Sequence, residues 1–145
     1  MNKVLTAVYA LFAAAALMLT CSGAHGAGVI MTRTISTEEE LAELCGKTVR
    51  DNIILTPGIY DMSRYNWKPI QKLEGPCTID GRGAVIEGIC LDTVVNREQS
   101  GFAGNNYGTI KNLSVRTCGT FCIPAYAGGI AAVNYGQIEN CTVSG

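Results

Sequence analysis

Near the end of the chain the apolar and polar residues fall twice into one order. Gly101-Phe-Ala-Gly-Asn-Asn-Tyr-Gly-Thr-Ile-Lys-Asn-Leu-Ser-Val115 returns as Gly129-Ile-Ala-Ala-Val-Asn-Tyr-Gly-Gln-Ile-Glu-Asn-Cys-Thr-Val143, offset by 28 residues throughout. Ile110, Leu113 and Val115 in the first copy, and Ile138, Cys141 and Val143 in the second, alternate with polar residues, as short strands with one buried face do. Asn106-Tyr107-Gly108 and Asn134-Tyr135-Gly136 supply residues that tolerate a tight turn. One such unit cannot bury its apolar face alone. Stacked at the inter-strand spacing of about 4.8 Å, each covers the next and equivalent side chains form ladders. The pattern therefore predicts an all-β solenoid, with Asn112 lying over Asn140.

Upstream, the pattern changes period. Ser36 to Gly46 reads as a short helix: Ser36 or Thr37 caps it, Glu39 or Glu40 completes a capping box, and Gly46 ends it. Leu41, Leu44 and Cys45 share one face, so the helix at 36–46 is expected to cover the open N-terminal end of the solenoid. Thr48 to Leu55 reads as the first strand, turned by Pro57-Gly58. Ser63 to Leu73, carrying Tyr65 and Trp67, reads as a loop on the outside of the stack. Cys77 to Leu91 reads as strand, turn at Asp80-Gly81-Arg82-Gly83, and strand. Ile86, Ile89 and Leu91 match Ile110, Leu113 and Val115 in spacing, which suggests a third, degenerate copy at an offset of 24. Ile86, Ile110 and Ile138 are then expected to stack inward. Asp92 to Ser100 and Thr117 to Tyr126 read as surface loops. The expected body of the domain is 47–145, in three to four coils. No capping segment follows Val143-Ser144-Gly145, so the expectation is either a piece of something longer or a last coil covered by a partner.

The N-terminus belongs to a different physical class. Lys3, the apolar stretch Val4 to Leu19 and the small residues Ser22-Gly23-Ala24 are the three parts of a secretory signal peptide, assigned to 1–24 with Gly26 as an alternative cleavage point. The spacing of Leu19 and the nature of Thr20 argue against lipidation at Cys21. The run is also shorter than the roughly 20 residues of a bilayer anchor. Residues 25–35 read as a linker.

Composition narrows the function. A chain of 145 residues with net charge −1 and only 16% charged residues holds one small domain and lacks the clustered Lys and Arg of a nucleic-acid surface. Export makes Cys45, Cys77, Cys90, Cys118, Cys122 and Cys141 a candidate disulfide set with 15 possible connectivities, although Cys141, in the register of Leu113, equally suits a small inward apolar residue. Cys118 and Cys122 lack the second pair or neighbouring His of a metal site, and no cofactor is implied. Asn112-Leu-Ser114 and Asn140-Cys-Thr142 have the N-glycosylation acceptor form, but laddered Asn side chains would be unavailable.

These residues resemble a known pattern. Gly101 to Val115 and Gly129 to Gly145 look like the GLUG repeat, roughly Gly-Leu-Val-Gly-x-Asn-x-Gly-x-Ile-x-Asn-Cys-x-Val-x-Gly. The second copy matches at Asn134, Gly136, Ile138, Asn140-Cys141, Val143 and Gly145 and departs at Ala132. Thr78 to Ile89 is similar to the segment that commonly precedes such repeats, and Leu55 to Asp61 resembles the opening coil of pectin-lyase-like β-helices. The resemblance implies a right-handed parallel β-helix in a secreted or surface-displayed protein, adhesin-like or a non-catalytic region of a larger surface protease. The repeat carries no catalytic residue to transfer.

Two functions follow as expectations. The first is a non-catalytic module for adhesion, ligand binding or structural display, meeting a glycan or protein ligand at the cell surface, with membrane contact only through the signal segment or an anchor outside the chain. Its first contact candidates are Trp67, Tyr107 and Tyr135, taken as exposed turn aromatics. The second is polysaccharide cleavage, for which the candidates are Asp80, Arg82, Glu87, Asp92, Arg116 and Glu139. These are scattered singles, and lyase or hydrolase chemistry needs convergent carboxylates or a metal cage. The single His, His25, stands beside the cleavage point, which leaves no Ser-His or Cys-His pair.

Overall fold

A computed structural model describes residues 28–90, 99–118 and 126–145. The expected signal segment, Cys21, His25, Asp92 and Cys122 lie outside the described residues. The elements are β1 (Thr32–Ile35), α1 (Glu38–Ala42), β2 (Thr48–Val49), β3 (Asn52–Leu55), β4 (Ile59–Asp61), β5 (Ile70–Leu73), β6 (Thr78–Cys90), β7 (Gln99–Ser100), β8 (Ala103–Asn106), β9 (Thr109–Cys118), β10 (Tyr126–Ala127), β11 (Ala131–Asn134), β12 (Gln137–Glu139) and β13 (Thr142–Ser144).

The fold is all-β, and each strand pairing is parallel. One sheet runs β1-β3-β6-β9-β12, with β4 on β6 and β13 on β9; a second runs β11-β8-β5-β2; β7 and β10 form a third. From β2 onward each pass thus crosses the second sheet and then the first, and the last two passes also pair β7 with β10. Parallel neighbours demand a long crossover, and here the crossover is the rest of the pass. The 28-residue offset is the pairing register itself: Ile110 lies beside Ile138, Val115 beside Val143, and Asn106 beside Asn134.

Inward side chains stack pass upon pass. Ile53, Ile79, Ile110 and Ile138 form one column, and Tyr60, Ile86, Val115 and Val143 another. Full burial of one such side chain contributes about 1.5–3 kcal/mol, so the columns are the main attraction between passes. The expected stacking of Ile86 with Ile110 and Ile138 is therefore corrected: Ile79 holds that place. The offset of 24 fails because Gly81, Arg82 and Gly83 occupy the space that Asn112 alone fills between aligned neighbours, and Gly88 adds another residue. The offset between aligned positions is consequently 31 at Ile79 and Ile110, 29 at Ile86 and Val115, and 28 at Cys90 and Cys118. The Asp80 to Gly83 segment is a bulged corner within β6 and not a turn between two strands. A side chain at Gly81 would meet the Asn112 carbonyl oxygen at 2.5 Å, and Gly83 takes φ +83°.

Three further expectations change. The 25–35 segment contains β1, paired with β3 and burying Ile35; with only one apolar residue turned inward, its alternation is too weak to read. Thr48 to Leu55 is two strands in different sheets, broken at Arg50-Asp51. The supposed outer loop at Ser63 to Leu73 instead sends Trp67, Ile70 and Leu73 into the core. Met62, Trp67, Ile70 and Leu73 are buried, and β5 sits between β2 and β8.

The helix is shorter than expected but keeps its capping chemistry. Thr37 Oγ1 accepts from the Glu40 N–H at 3.3 Å, while the Glu40 carboxylate accepts from the Ser36 N–H at 2.7 Å. Leu41 and Leu44 join the core. The columns predict that Ile110→Ala destabilises by about 2–5 kcal/mol, whereas Ile138→Ala, at a position 38% exposed, costs about 1 kcal/mol or less. Urea denaturation of both variants measures the difference.

Candidate functional site

Two outer corners carry polar and aromatic ladders. At the first, Asn106-Tyr107-Gly108 joins β8 to β9, and Asn134-Tyr135-Gly136 joins β11 to β12. Asn106 is buried, and its amide is fully used. Its Oδ1 accepts from the Gly108 N–H at 3.1 Å, closing the turn, and its Nδ2 donates to Asn134 Oδ1 at 2.7 Å and to the Gln137 carbonyl at 3.1 Å. The turn residues thereby fix the aromatic between them. Tyr107 and Tyr135 project outward, 45% and 65% exposed, with ring centroids 4.8 Å apart and planes within 15°. The Lys72 ammonium lies 5.0 Å from the Tyr107 centroid, a cation–π contact. Glu74 receives both Lys72 at 3.2 Å and Arg50 at 3.6 Å. The corner combines stacked rings, a cation and hydrogen-bonding amides.

The second corner bends the long sheet. Arg82, Asn112 and Asn140 adopt φ of +49°, +54° and +48°, a left-handed conformation that Asn tolerates better than most residues. Their stacking aligns a ladder: Asn140 Nδ2 donates to Asn112 Oδ1 at 2.8 Å, and Asn112 Nδ2 donates to Asp80 Oδ1 at 3.0 Å. Asn112 lies over Asn140 as the repeat implied; the capture of Asp80 at its foot was not foreseen. Beside it, Thr142 Oγ1 donates to Ser114 Oγ at 2.8 Å. Arg82, Asn112, Ser114, Asn140 and Thr142 line a shallow groove. The Asn112 amide holds the Asp80 carboxyl below its ordinary range, aided by the Arg82 N–H and the charges of Lys111 and Arg82. Lys111 Nζ is 3.8 Å from Asp80. The Arg82 guanidinium has no hydrogen-bond or ion-pair partner among the described residues.

The contact candidates divide. Tyr107 and Tyr135 come together at one corner, but Trp67 is no part of an exposed surface. Its ring stacks on Phe102 at 5.5 Å and its Nε1 donates to the Gly101 carbonyl at 3.2 Å. An indole on that much apolar neighbourhood contributes more buried than wet. Of the polysaccharide-cleaving candidates, Asp80 and Arg82 share a corner, Glu87 pairs with Arg116 at 3.2 Å, and Glu139 is an exposed strand residue. No cluster of His, Cys, Asp and Glu suited to a metal occurs among the described residues.

The cysteines also divide. Cys90 and Cys118 are joined, Cα atoms 4.6 Å apart, at matching register on adjacent passes. Cys77 is buried and Cys141 partly so; both are thiols that burial pushes above the usual range. Cys141 packs against the core, and Cys45 does likewise.

Comparison with known families supplies one match, a model of the GLUG motif over residues 124–145. The final pass is thus similar to the GLUG motif. Its Asn134 and Asn140 are the outer members of the two amide ladders, and its Ile138 and Val143 end the two apolar columns. The preceding pass, Gly101 to Val115, repeats that GLUG pattern at the pairing register. No curated protein and no solved structure matches the chain.

The corner predicts two outcomes. Asn112→Ala loses both ladder bonds and strains a φ of +54°, costing about 1–3 kcal/mol, whereas Asn112→Gly loses the bonds alone and costs less. The Asp80 pKa is depressed in the fold, so its contribution is complete above the unfolded carboxylate value of about 3.9. It disappears as pH falls through the lower folded value. Asp80→Asn should therefore flatten the acid limb of a stability–pH curve followed by circular dichroism.

Proposed function

We propose that the chain is an exported, non-catalytic surface module, built as a right-handed parallel β-helix, that binds an extended glycan or protein ligand. The observation that carries this reading is the Tyr107–Tyr135 stack, held outward by a buried amide ladder that leaves the rings no packing role in the core. Exposed, pre-ordered tyrosines offer large contact area at small entropic cost. The groove along Asn112 and Asn140 adds amides, hydroxyls and the Arg82 guanidinium on a second corner. Repetition at one-pass spacing suits a ligand that is itself extended. The right-handed β-helix is supported by parallel sheets visited in constant order and by the GLUG motif. Export is supported by the leader pattern at 1–24, with which the Cys90–Cys118 disulfide is compatible.

The chemistry of the carboxylates favours binding over cleavage. Asp80 is held ionised below its ordinary range by its hydrogen bonds, whereas a general base or acid works best with a pKa near the working pH. Glu87 is engaged by Arg116.

A glycan and host-protein binding screen, paired with depolymerisation assays with and without Ca²⁺, tests the reading. Binding without turnover is expected, with Tyr135→Ala weakening it roughly 30-fold, the scale of an aromatic hot spot. Turnover that disappears in Asp80→Ala or Arg116→Ala overturns it.

A further inference from the structure

The groove at the second corner opens on the side of the stack. Arg82 lies on β6 and Asn112 and Ser114 on β9, strands with paired neighbours on both edges, so their outward exposure does not depend on what lies beyond the last pass. The hydrogen-bonding polarity of the groove is set by Asp80. A carboxylate only accepts, so Asn112 turns its Nδ2 to Asp80 Oδ1 and its Oδ1 to Asn140 Nδ2. The Asn112 acceptor is thereby filled and one amide N–H is left over. Ser114 Oγ accepts from Thr142 Oγ1, which leaves the Ser114 proton to give. Arg82 adds an exposed guanidinium that can only donate. Asp80 does not line the groove: its Oδ1 is taken by Asn112 and by the Arg82 N–H at 3.0 Å, and its Oδ2 faces Lys111. The side chains of β6 and β9 therefore present donors and one positive charge.

We infer that this groove takes the sulfate esters of an acidic glycan. The inference rests on the ligand-binding reading and names the chemistry at one of its two corners. A planar guanidinium holds two oxygens of an anion side by side. A carboxylate has no third oxygen to offer, whereas a sulfate ester has one, free for the Ser114 hydroxyl or the Asn112 amide that share the groove with Arg82. The groove also runs from pass to pass, from Arg82 through Asn112 and Ser114 to Asn140 and Thr142, so an extended sugar chain can lie along it. The chain's net charge of −1 supplies no general attraction for a polyanion. Recognition therefore has to come from this local set of donors.

Titration calorimetry of the full chain with dextran, carboxymethyl dextran and dextran sulfate of equal length tests this, because the three probes share one sugar backbone. Dextran sulfate should bind at least roughly tenfold tighter than either of the others. Arg82→Gln should weaken that binding at least roughly tenfold, and Ser114→Ala, which changes no charge, about threefold or more. Lys68→Gln removes the same charge from an exposed position elsewhere on the surface and should change it less than about twofold. Arg82 and Lys68 are exposed, and unchanged far-UV circular dichroism confirms that each variant is folded. Equal losses in Arg82→Gln and Lys68→Gln would reduce the effect to diffuse charge and overturn the inference, as would carboxymethyl dextran binding as tightly as the sulfated form. Unmodified dextran binding equally well would overturn it while leaving the ligand-binding reading in place. Failure of all three dextrans to bind would also overturn it, and the wider glycan and protein screen then decides that reading separately.

Discussion

The rest of the structure depends on one constraint: a side chain that points inward on one pass must find its equivalent on the next. Because parallel strands pair in constant register, each inward position becomes a column, and the columns through Ile110 and Val115 can form only if every pass uses the chain length between them consistently. A single extra residue would turn each following side chain to the opposite face. That sensitivity explains why the additional residues of β6 are taken up in bulges, Gly81-Arg82-Gly83 against Asn112 and Gly88 between Glu87 and Ile89, which absorb them without inverting the strand that follows.

The polar ladders serve the same register from the outside. A buried amide is costly unless each of its groups is satisfied, and Asn106 meets that demand only when Gly108, Asn134 and Gln137 stand where the 28-residue offset places them. The amide therefore discriminates among registers more sharply than the apolar columns, which would tolerate some sliding. At the second corner the same logic selects Asn for its left-handed backbone as well as for its donor and acceptor. These ladders hold the outer tyrosines stacked at their corner.

Legibility in the sequence followed how often a feature was repeated. Asn112 over Asn140 could be read because two copies state it. The membership of Asp80 could not, because the bulge conceals its alignment with Lys111 and suggests a false offset. Trp67 was misplaced for a related reason: the polar residues Ser63, Arg64, Asn66 and Lys68 around it look like a loop, and the surface that buries it, Phe102 and the Gly101 carbonyl, lies a whole pass away in sequence. Strand β1 offered one inward apolar residue, Ile35, too few for a period to show.

By itself the sequence determined the class of the fold, the turn residues, the helix cap and the spacing of the final passes, since these depend on local backbone preference and on periodicity within a few residues. The tertiary structure decided the rest: which isoleucine stacks on Ile110, the Cys90–Cys118 pairing among the alternatives, the union of Tyr107 with Tyr135 and Lys72, and the burial of Trp67. Each of these is a contact between passes, and such a contact depends on the summed length of everything between its partners. Local pattern carries no record of that sum; only the closed register of the stacked chain supplies it.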